Sequence, residues 1–534
     1  MTEWWRKGVI YQVYPRSYLD NNGDGIGDLS GVTQKLDYIA SLGVDAIWLS
    51  PFFKSPMKDA GYDIEDYRAV DPTFGTLDDF RRLLDEAHKR NIKIVIDQVW
   101  AHTADTHAWF SESRQSKSNP KADWYYWRDA KPDGTAPNNW LSNFGGVAWS
   151  WDTRREQYYL HHYLSSQPKL NLRNPEVKAE IFDTARFWLE LGVDGFRLDV
   201  LHQYLSDPEL RDNPPRGDRA LPNDLPASHT LTRQWREMDC NHPDIVDLAE
   251  DLRALCDEYP DKVLLAEVGG EDNEAEACKY VQTGKRLHLA YTFGLMQQQG
   301  RFDKALVYEI MNHVEGLVKD GWLCWATGNH DNMRVVSRWP NEGADPVVFA
   351  RFALAIGLCL RGSFCMYQGE ELGLPEAEVP YDLMQDPYGI AFYPEYRGRD
   401  GCRTPMPWIK SAKHAGFSDA AKTWLPVVEA QTERAVDVQD KDPESMLNFT
   451  RKFLAWRKQQ PPISVGSFQF FETPDNVVGF VREHEGERIS CIFNIQNAAV
   501  TLPIAGKLDP ISQQAQHGNG QLSLGGYGFA FIKE

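Results

Sequence analysis

Apolar positions change their period along the chain, and the changes mark out elements. In TLDDFRRLLDEAHKRN (76–91), Phe80, Leu83, Leu84 and Ala87 recur at three- and four-residue spacing, which gives a helix one apolar face. Thr76 and Asp79 ahead of that face have the spacing of a capping pair. The next run, KIVIDQVW (93–100), is almost continuously apolar, as a strand buried on both faces of a parallel sheet must be. Earlier, YQVYP (11–15) precedes a helical stretch near 31–42, and AIWLSPFF (46–53) precedes the 76–91 helix. After a gap the alternation resumes with the helix PEVKAEIFDTARFWLELG (175–192). The strands VDGFRLDV (193–200), KVLLAEV (262–268), LHLAYTF (287–293), GWLCWATGNHD (321–331) and SFCMYQG (363–369) follow.

Eight strand candidates separated by helical segments predict an α/β fold, a closed (β/α)8 TIM barrel with its functional groups at the C-terminal strand ends. The gap, 102–173, is rich in Trp, Asn, Pro and Gly and too long for an ordinary connection. It predicts a small domain inserted after strand three. Beyond the helix SMLNFTRKFLAWRKQQ (445–460), the runs SFQFFE, VVGFVREH, RISCIFNI, AVTLPI and YGFAFI predict a C-terminal antiparallel β-sandwich. The expected division is 1–101 and 174–461 for the barrel, 102–173 for the insertion and 462–534 for the sandwich.

Composition narrows the partners. The 534 residues are 42% hydrophobic and carry a formal charge of −20, which argues against nucleic-acid phosphates and anionic membranes. A neutral substrate fits better, and 18 Trp and 22 Tyr offer faces for stacking on sugar rings. The N-terminus, MTEWWRKGVIYQVYP, has no apolar core of signal-peptide length. The longest apolar run, Phe352 to Leu360, is too short to cross a bilayer. Eight cysteines show no paired CxxC spacing, and Cys324, Cys359, Cys365 and Cys491 lie among apolar residues. Free thiols in a cytoplasmic monomer or homodimer are expected.

Several strands end in ionisable residues: Asp97, Asp199, Glu267 and the pair His330-Asp331. In a barrel these converge on one mouth. Within GFRLDV, period-two alternation points Arg197 and Asp199 into the lumen and Phe196 and Leu198 toward the helices. Arg197 is expected to lower the pKa of Asp199 and keep it ionised, as a nucleophile requires. Glu267 follows an apolar strand, where desolvation and nearby negative charge raise a pKa toward that of a general acid. Asp331 is a candidate for binding hydroxyls. One ionised and one protonated carboxyl in an aromatic mouth fit glycoside hydrolysis.

The other oxygen-rich stretch is LDNNGDGIGD (19–28), where Asp20, Asn22, Asp24 and Asp28 recur at even spacing and Gly25 permits a sharp turn. Gly31 stands where an EF-hand has its bidentate Glu. The loop lies after the first strand, so a structural divalent ion is expected there and a catalytic one is not.

DQVWAH (97–102), GFRLDV (195–200), the Glu of AEVGG (266–270) and GNHD (328–331) together resemble the signature regions of the α-amylase family of glycoside hydrolases. QPKLN (167–171), YQGEELGL (367–374) and RDGCRTPMPW (399–408) resemble its oligo-1,6-glucosidase and α-glucosidase branch. The resemblance implies a retaining, exo-acting α-glucosidase on short α-1,6- or α-1,4-glucosides. Asp199 would be the nucleophile, Glu267 the acid/base, and Asp331 the holder of the 2- and 3-hydroxyls. It further implies that Arg197, His102 and His330 surround the same glucose and that Tyr62 stacks on it. Asp59 and Arg399 would grip its non-reducing end, with Phe144, Tyr163 and Gln167 shaping the site. It also implies structural calcium, or magnesium, at Asp20, Asn22, Asp24, Ile26 and Asp28.

Two departures stand out: Lys169 occupies a position that is usually acidic in that branch, and Val200, after the nucleophile, is a residue that tends to accompany α-1,6 cleavage. The same chemistry with a sugar acceptor would make a glucosyltransferase or sucrose isomerase. Non-catalytic transporter partners of this fold carry a membrane span and have lost the carboxylates that this chain retains.

Overall fold

The structure, a computed structural model, describes residues 3–219, 228–296 and 302–533. Eight parallel strands close a barrel: β1 (Val9–Val13), β2 (Ala46–Leu49), β3 (Lys93–Gln98), β4 (Gly195–Leu198), β5 (Val263–Glu267), β6 (Leu289–Tyr291), β7 (Leu323–Ala326) and β8 (Ser363–Tyr367). Each pairs with its neighbours in chain order, and β8 returns to β1. All eight coincide with the expected apolar runs.

Their burial on both faces explains why those runs do not alternate. Trp48, Val95, Leu265, Leu289 and Cys324 fill the lumen, while Ile47, Ile94, Ile96, Phe196 and Leu198 pack outward against helices. The β3–β4 register sets Asp97 opposite Arg197, and the β5–β6 register sets Glu267 opposite Tyr291. Ionisable side chains thus meet inside the barrel because of strand register.

The helix Leu77–Lys89 buries Phe80, Leu83, Leu84 and Ala87 and has the expected box: Asp79 N–H donates to Thr76 Oγ1 (3.2 Å) and Thr76 N–H to Asp79 Oδ2 (3.0 Å). The expected 31–42 helix is instead two, Leu29–Gln34 and Leu36–Leu42, joined through non-helical Lys35. Asp28 caps the first by accepting from Gly31 N–H, so this element begins earlier than its apolar pattern.

Between β3 and the helix Pro175–Leu191 lies a three-stranded antiparallel sheet of Trp127–Arg128, Trp149–Asp152 and Gln157–Leu160 around Tyr126, Trp140, Trp149 and Leu160. The C-terminal residues form a seven-stranded antiparallel sheet centred on the long strand Gln521–Lys533. One face encloses Val477, Ile492, Leu522 and Ile532; on the other, Phe529 and Phe531 contact Phe453 of the helix Met446–Lys458. Gln513–Gly518, too polar to read as a strand, pairs along Gln521–Lys533 with a bulge at Gln513/Ala515. No described helix is long and apolar enough to cross a membrane, and all eight cysteines are buried free thiols.

Candidate active site

A cavity of about 760 Å³ opens at the C-terminal end of the barrel. Asp199, Glu267 and Asp331 line it together with Asp59, Tyr62, His102, Phe144, Tyr163 and Arg399. Arg197, Gln167 and His330 lie just behind that lining, and none of residues 20–28 takes part in it.

Arg197 is the hub. Its Nη1 donates to Asp97 Oδ1 (2.7 Å) and Asp199 Oδ1 (2.6 Å), and its Nη2 to Glu267 Oε2 and to Tyr291 Oη (2.7 Å). The guanidinium also lies 4.8 Å from the Trp48 ring centroid. One fixed fork therefore holds both Asp199 and Glu267. Asp97 spends its other oxygen on Trp48 Nε1–H (3.1 Å) and Tyr62 O–H (2.9 Å), which makes it a support for the site.

Directly after Asp199, Val200 adopts φ 40°, ψ 47°, a left-handed conformation that is a genuine outlier for a β-branched residue. Such strain costs on the order of 1–3 kcal/mol and persists where its surroundings over-determine it. The turn puts Val200 in the cavity lining and its N–H 3.4 Å from Glu267 Oε2. Sequence pattern gave no sign of it.

Tyr62 lies parallel to His330, with centroids 5.0 Å apart, and Tyr14 stacks on the same imidazole at 5.5 Å. Gln12 Nε2–H donates to His330 Nδ1 (2.8 Å), so the neutral ring carries its proton on Nε2, 3.4 Å from Asp331 Oδ1. His102 donates from Nε2 to the Tyr62 carbonyl (2.8 Å), and burial lowers its pKa to about 4. Burial lowers that of His330 as well, so both imidazoles are neutral.

Arg399 lines the cavity beside Asp59. Its Nη2 donates to Asp59 Oδ1 (2.9 Å) and Asp386 Oδ1 (2.8 Å), its Nη1 reaches Asp331 Oδ1 (3.3 Å), and its guanidinium lies 5.0 Å from the Phe144 centroid. Gln167 donates to the other oxygen of Asp59 (3.0 Å). Phe144 stacks on Tyr388 (5.2 Å) and meets Tyr163 edge-on (5.3 Å). Asp386 and Arg403, which also donates to Asp331, escaped the sequence reading. Arg403 sits one helical turn past Arg399 in RDGCR and could have been found; Asp386 has no such neighbour.

The electrostatics correct one expectation. Burial raises the pKa of Asp199 well above the ordinary range despite Arg197, and burial also raises that of Glu267. A single arginine faces three buried carboxyls, Asp97, Asp199 and Glu267, so it cannot hold all of them ionised. The Asp199–Glu267 pair thus takes up a proton more readily than isolated carboxyls, and the ionisation belongs to the pair. For Asp331, burial pulls upward too, but the adjacent His330 ring, Arg399 and Arg403 together outweigh it and hold the carboxyl well below its usual range.

Lys169 is fully buried and donates to the carbonyl of Gln203, in the turn that follows Asp199. Burial brings its pKa down to about 7. It ties the inserted segment to that turn.

In the 19–28 loop, Asp20 accepts from Gly23 N–H (2.7 Å) and Gly25 N–H (2.8 Å), and Asp28 from Asn21 N–H (2.9 Å) and Gly31 N–H (2.7 Å). Asn22 and Asp24 accept from Asp24 N–H (2.9 Å) and Ile26 N–H (2.8 Å). A Cβ on Gly25, at φ 95°, would lie 2.2 Å from the Lys422 carbonyl, so only glycine fits. Among the described residues no three His, Cys, Asp or Glu side chains converge as metal ligands.

Residues 12–466 match the α-amylase catalytic-domain family model. A probable α-glucosidase of Rhizobium meliloti (strain 1021) is 48% identical over 513 residues, covering 95% of this chain and 92% of that protein. The oligo-1,6-glucosidase of Heyndrickxia coagulans is 37% identical over 540 residues, covering 94% of each. Among solved structures, the α-glucosyl transfer enzyme XgtA superposes with a TM-score of 0.96 at 49% identity, covering 100% of both chains. The trehalulose synthase MutB of Pseudomonas mesoacidophila MX-45 gives 0.89 at 30%, again covering 100% of both. A family match over most of the chain, these relatives and the carboxylate-lined barrel mouth agree: the chain belongs to the α-amylase family of glycoside hydrolases.

Proposed function

We propose that the protein is a retaining, exo-acting α-glucosidase that removes the non-reducing terminal glucose of short α-1,6- or α-1,4-glucosides. The observation that carries this is Arg197 gripping Asp199 and Glu267 at once, in a cavity whose inner end the Asp59–Arg399 pair would close. Two carboxyls sharing one guanidinium suit the close spacing, roughly 5–5.5 Å, of a double displacement. Asp199 attacks the anomeric carbon while Glu267 donates its proton to the leaving oxygen. Glu267 then takes a proton from water, which displaces Asp199 and releases α-glucose. Asp331, kept ionised, accepts hydrogen bonds from ring hydroxyls. A polymer cannot thread a closed end, so one sugar leaves per turn.

Rates with isomaltose, maltose, sucrose and soluble starch, with the product anomer followed by NMR, test this. The expected result is α-glucose from the short substrates and little from starch. First release of β-glucose would end the retaining assignment. A second reading, transfer of glucose to a sugar acceptor, is supported by the likeness to XgtA and MutB. Product analysis at high substrate concentration separates it, since transfer yields new oligosaccharides or sucrose isomers.

We also propose that Asp20, Asn22, Asp24, Ile26 and Asp28 hold a structural calcium ion, which would cross-link the loop against residues 417–424. The donor set is all oxygen, and the loop already packs there through Asp20 N–H to the Phe417 carbonyl (3.0 Å) and Trp424 N–H to the Gly25 carbonyl (3.1 Å). Calcium at about 100 times its Kd should add about 2.7 kcal/mol to stability. Thermal melts with calcium or chelator check this, and Asp24→Ala should abolish the difference. A chelator-insensitive wild-type melt in metal-free buffer, unmoved by added calcium, would refute it. Eight buried thiols fit a reducing, cytoplasmic setting.

A further inference from the structure

Large apolar side chains that stand exposed are few among the described residues, and Tyr381, Leu383, Ile390 and Tyr393 fall together in 381–393. Tyr381 is 53% exposed and Tyr393 45%. Their rings touch, with centroids 4.8 Å apart at 44°. Each adjoins a stretch that lines the cavity: Val379 lies two residues before Tyr381, and Pro394 follows Tyr393. The Arg397–Glu378 ion pair (3.1 Å) joins the same two stretches. The aromatic pair therefore lies next in the chain to residues of the cavity lining.

A water-facing aromatic pair beside a cavity mouth presents flat apolar area, and charges of both signs lie within four residues of it in the chain: Glu378, Asp382 and Arg397. Mixed charge does not select an ion. A pyranose matches both features, since its C–H face covers a ring while its hydroxyls reach carboxylates and guanidinium. We propose that Tyr381 and Tyr393 form a stacking platform for the outer sugar units of a longer α-glucoside whose terminal glucose occupies the cavity. This rests on the α-glucosidase reading above.

The test compares wild type, Tyr381→Ala, Tyr393→Ala and Tyr381→Phe on isomalto- and malto-oligosaccharides from two to five units. Both alanine variants should raise KM about 3–10-fold for three or more units, the scale of one aromatic contact. Disaccharide KM and kcat should stay put, because only uniform binding is lost, and Tyr381→Phe should behave as wild type. KM unchanged at all lengths, or raised equally at all lengths, overturns the platform while leaving the glucosidase reading intact. So does a shift in oligomeric state by sedimentation without the length-dependent KM, which would identify the patch as an interface between copies. A wild type inactive on every α-glucoside overturns the underlying reading, and the platform with it.

Discussion

Asp199→Asn should lower kcat on a short α-glucoside by about 10⁴-fold or more, about 5–6 kcal/mol in barrier height. Asn keeps the size of the side chain and can still accept from Arg197 Nη1, so the hub survives. What disappears is the anionic oxygen that would bond to the anomeric carbon. The raised pKa of Asp199 sharpens the test. If the proton of the pair rests on Glu267 in the working enzyme, removing the charge at Asp199 removes nucleophile and electrostatic partner together. Steady-state rates on purified variant, with circular dichroism to show an unaltered melt, check it. A well-folded variant of near-normal rate would eliminate Asp199 as nucleophile.

Arg197→Met should cost about 3–5 kcal/mol of stability as well as activity. The side chain is fully buried and faces Asp97, Asp199 and Glu267. Methionine fills similar volume but leaves three carboxyls without a counter-charge, so they protonate or the site opens. The sign with pH follows. The pKa values of these carboxyls are already raised in the folded state by burial, and losing the arginine raises them further. The folded variant then binds more protons than the unfolded chain, so its stability falls as pH rises through and above the ordinary carboxyl range. Urea midpoints should show a smaller deficit near pH 5 than near pH 8. Equal midpoints for variant and wild type at both values would mean that Arg197 does not compensate these charges.

How much was legible depended on whether the signal was local. Continuous apolar runs revealed all eight barrel strands, because a parallel strand has no solvent face to break the run. The 76–91 helix was readable to its cap, since Thr76 and Asp79 act over three residues. Lys35 shows the opposite: nothing in its apolar pattern marks the break between Leu29–Gln34 and Leu36–Leu42. Gln513–Gly518 was missed because its pairing partner, not its composition, makes it a strand.

The candidate site divides the same way. Period-two alternation in GFRLDV was enough to aim Arg197 and Asp199 into one lumen, and the strand-end carboxyls followed from barrel topology. Asp386 enters the site from the long segment after β8, and chain pattern says nothing of where such a segment folds back; Arg403 was within reach through its spacing from Arg399. The left-handed turn at Val200 depends on what surrounds it.

The sequence by itself determined the barrel, the mouth and the acidic groups at its strand ends, because repeats of period 2 and 3.6 are properties of neighbouring residues. Tertiary structure alone decided the ionisation. Arg197 two residues before Asp199 in the chain predicted a lowered pKa, but full burial and two further carboxyls on the same guanidinium reversed the sign. Desolvation depends on everything packed around a charge, and most of what surrounds Asp199 lies far from it along the chain.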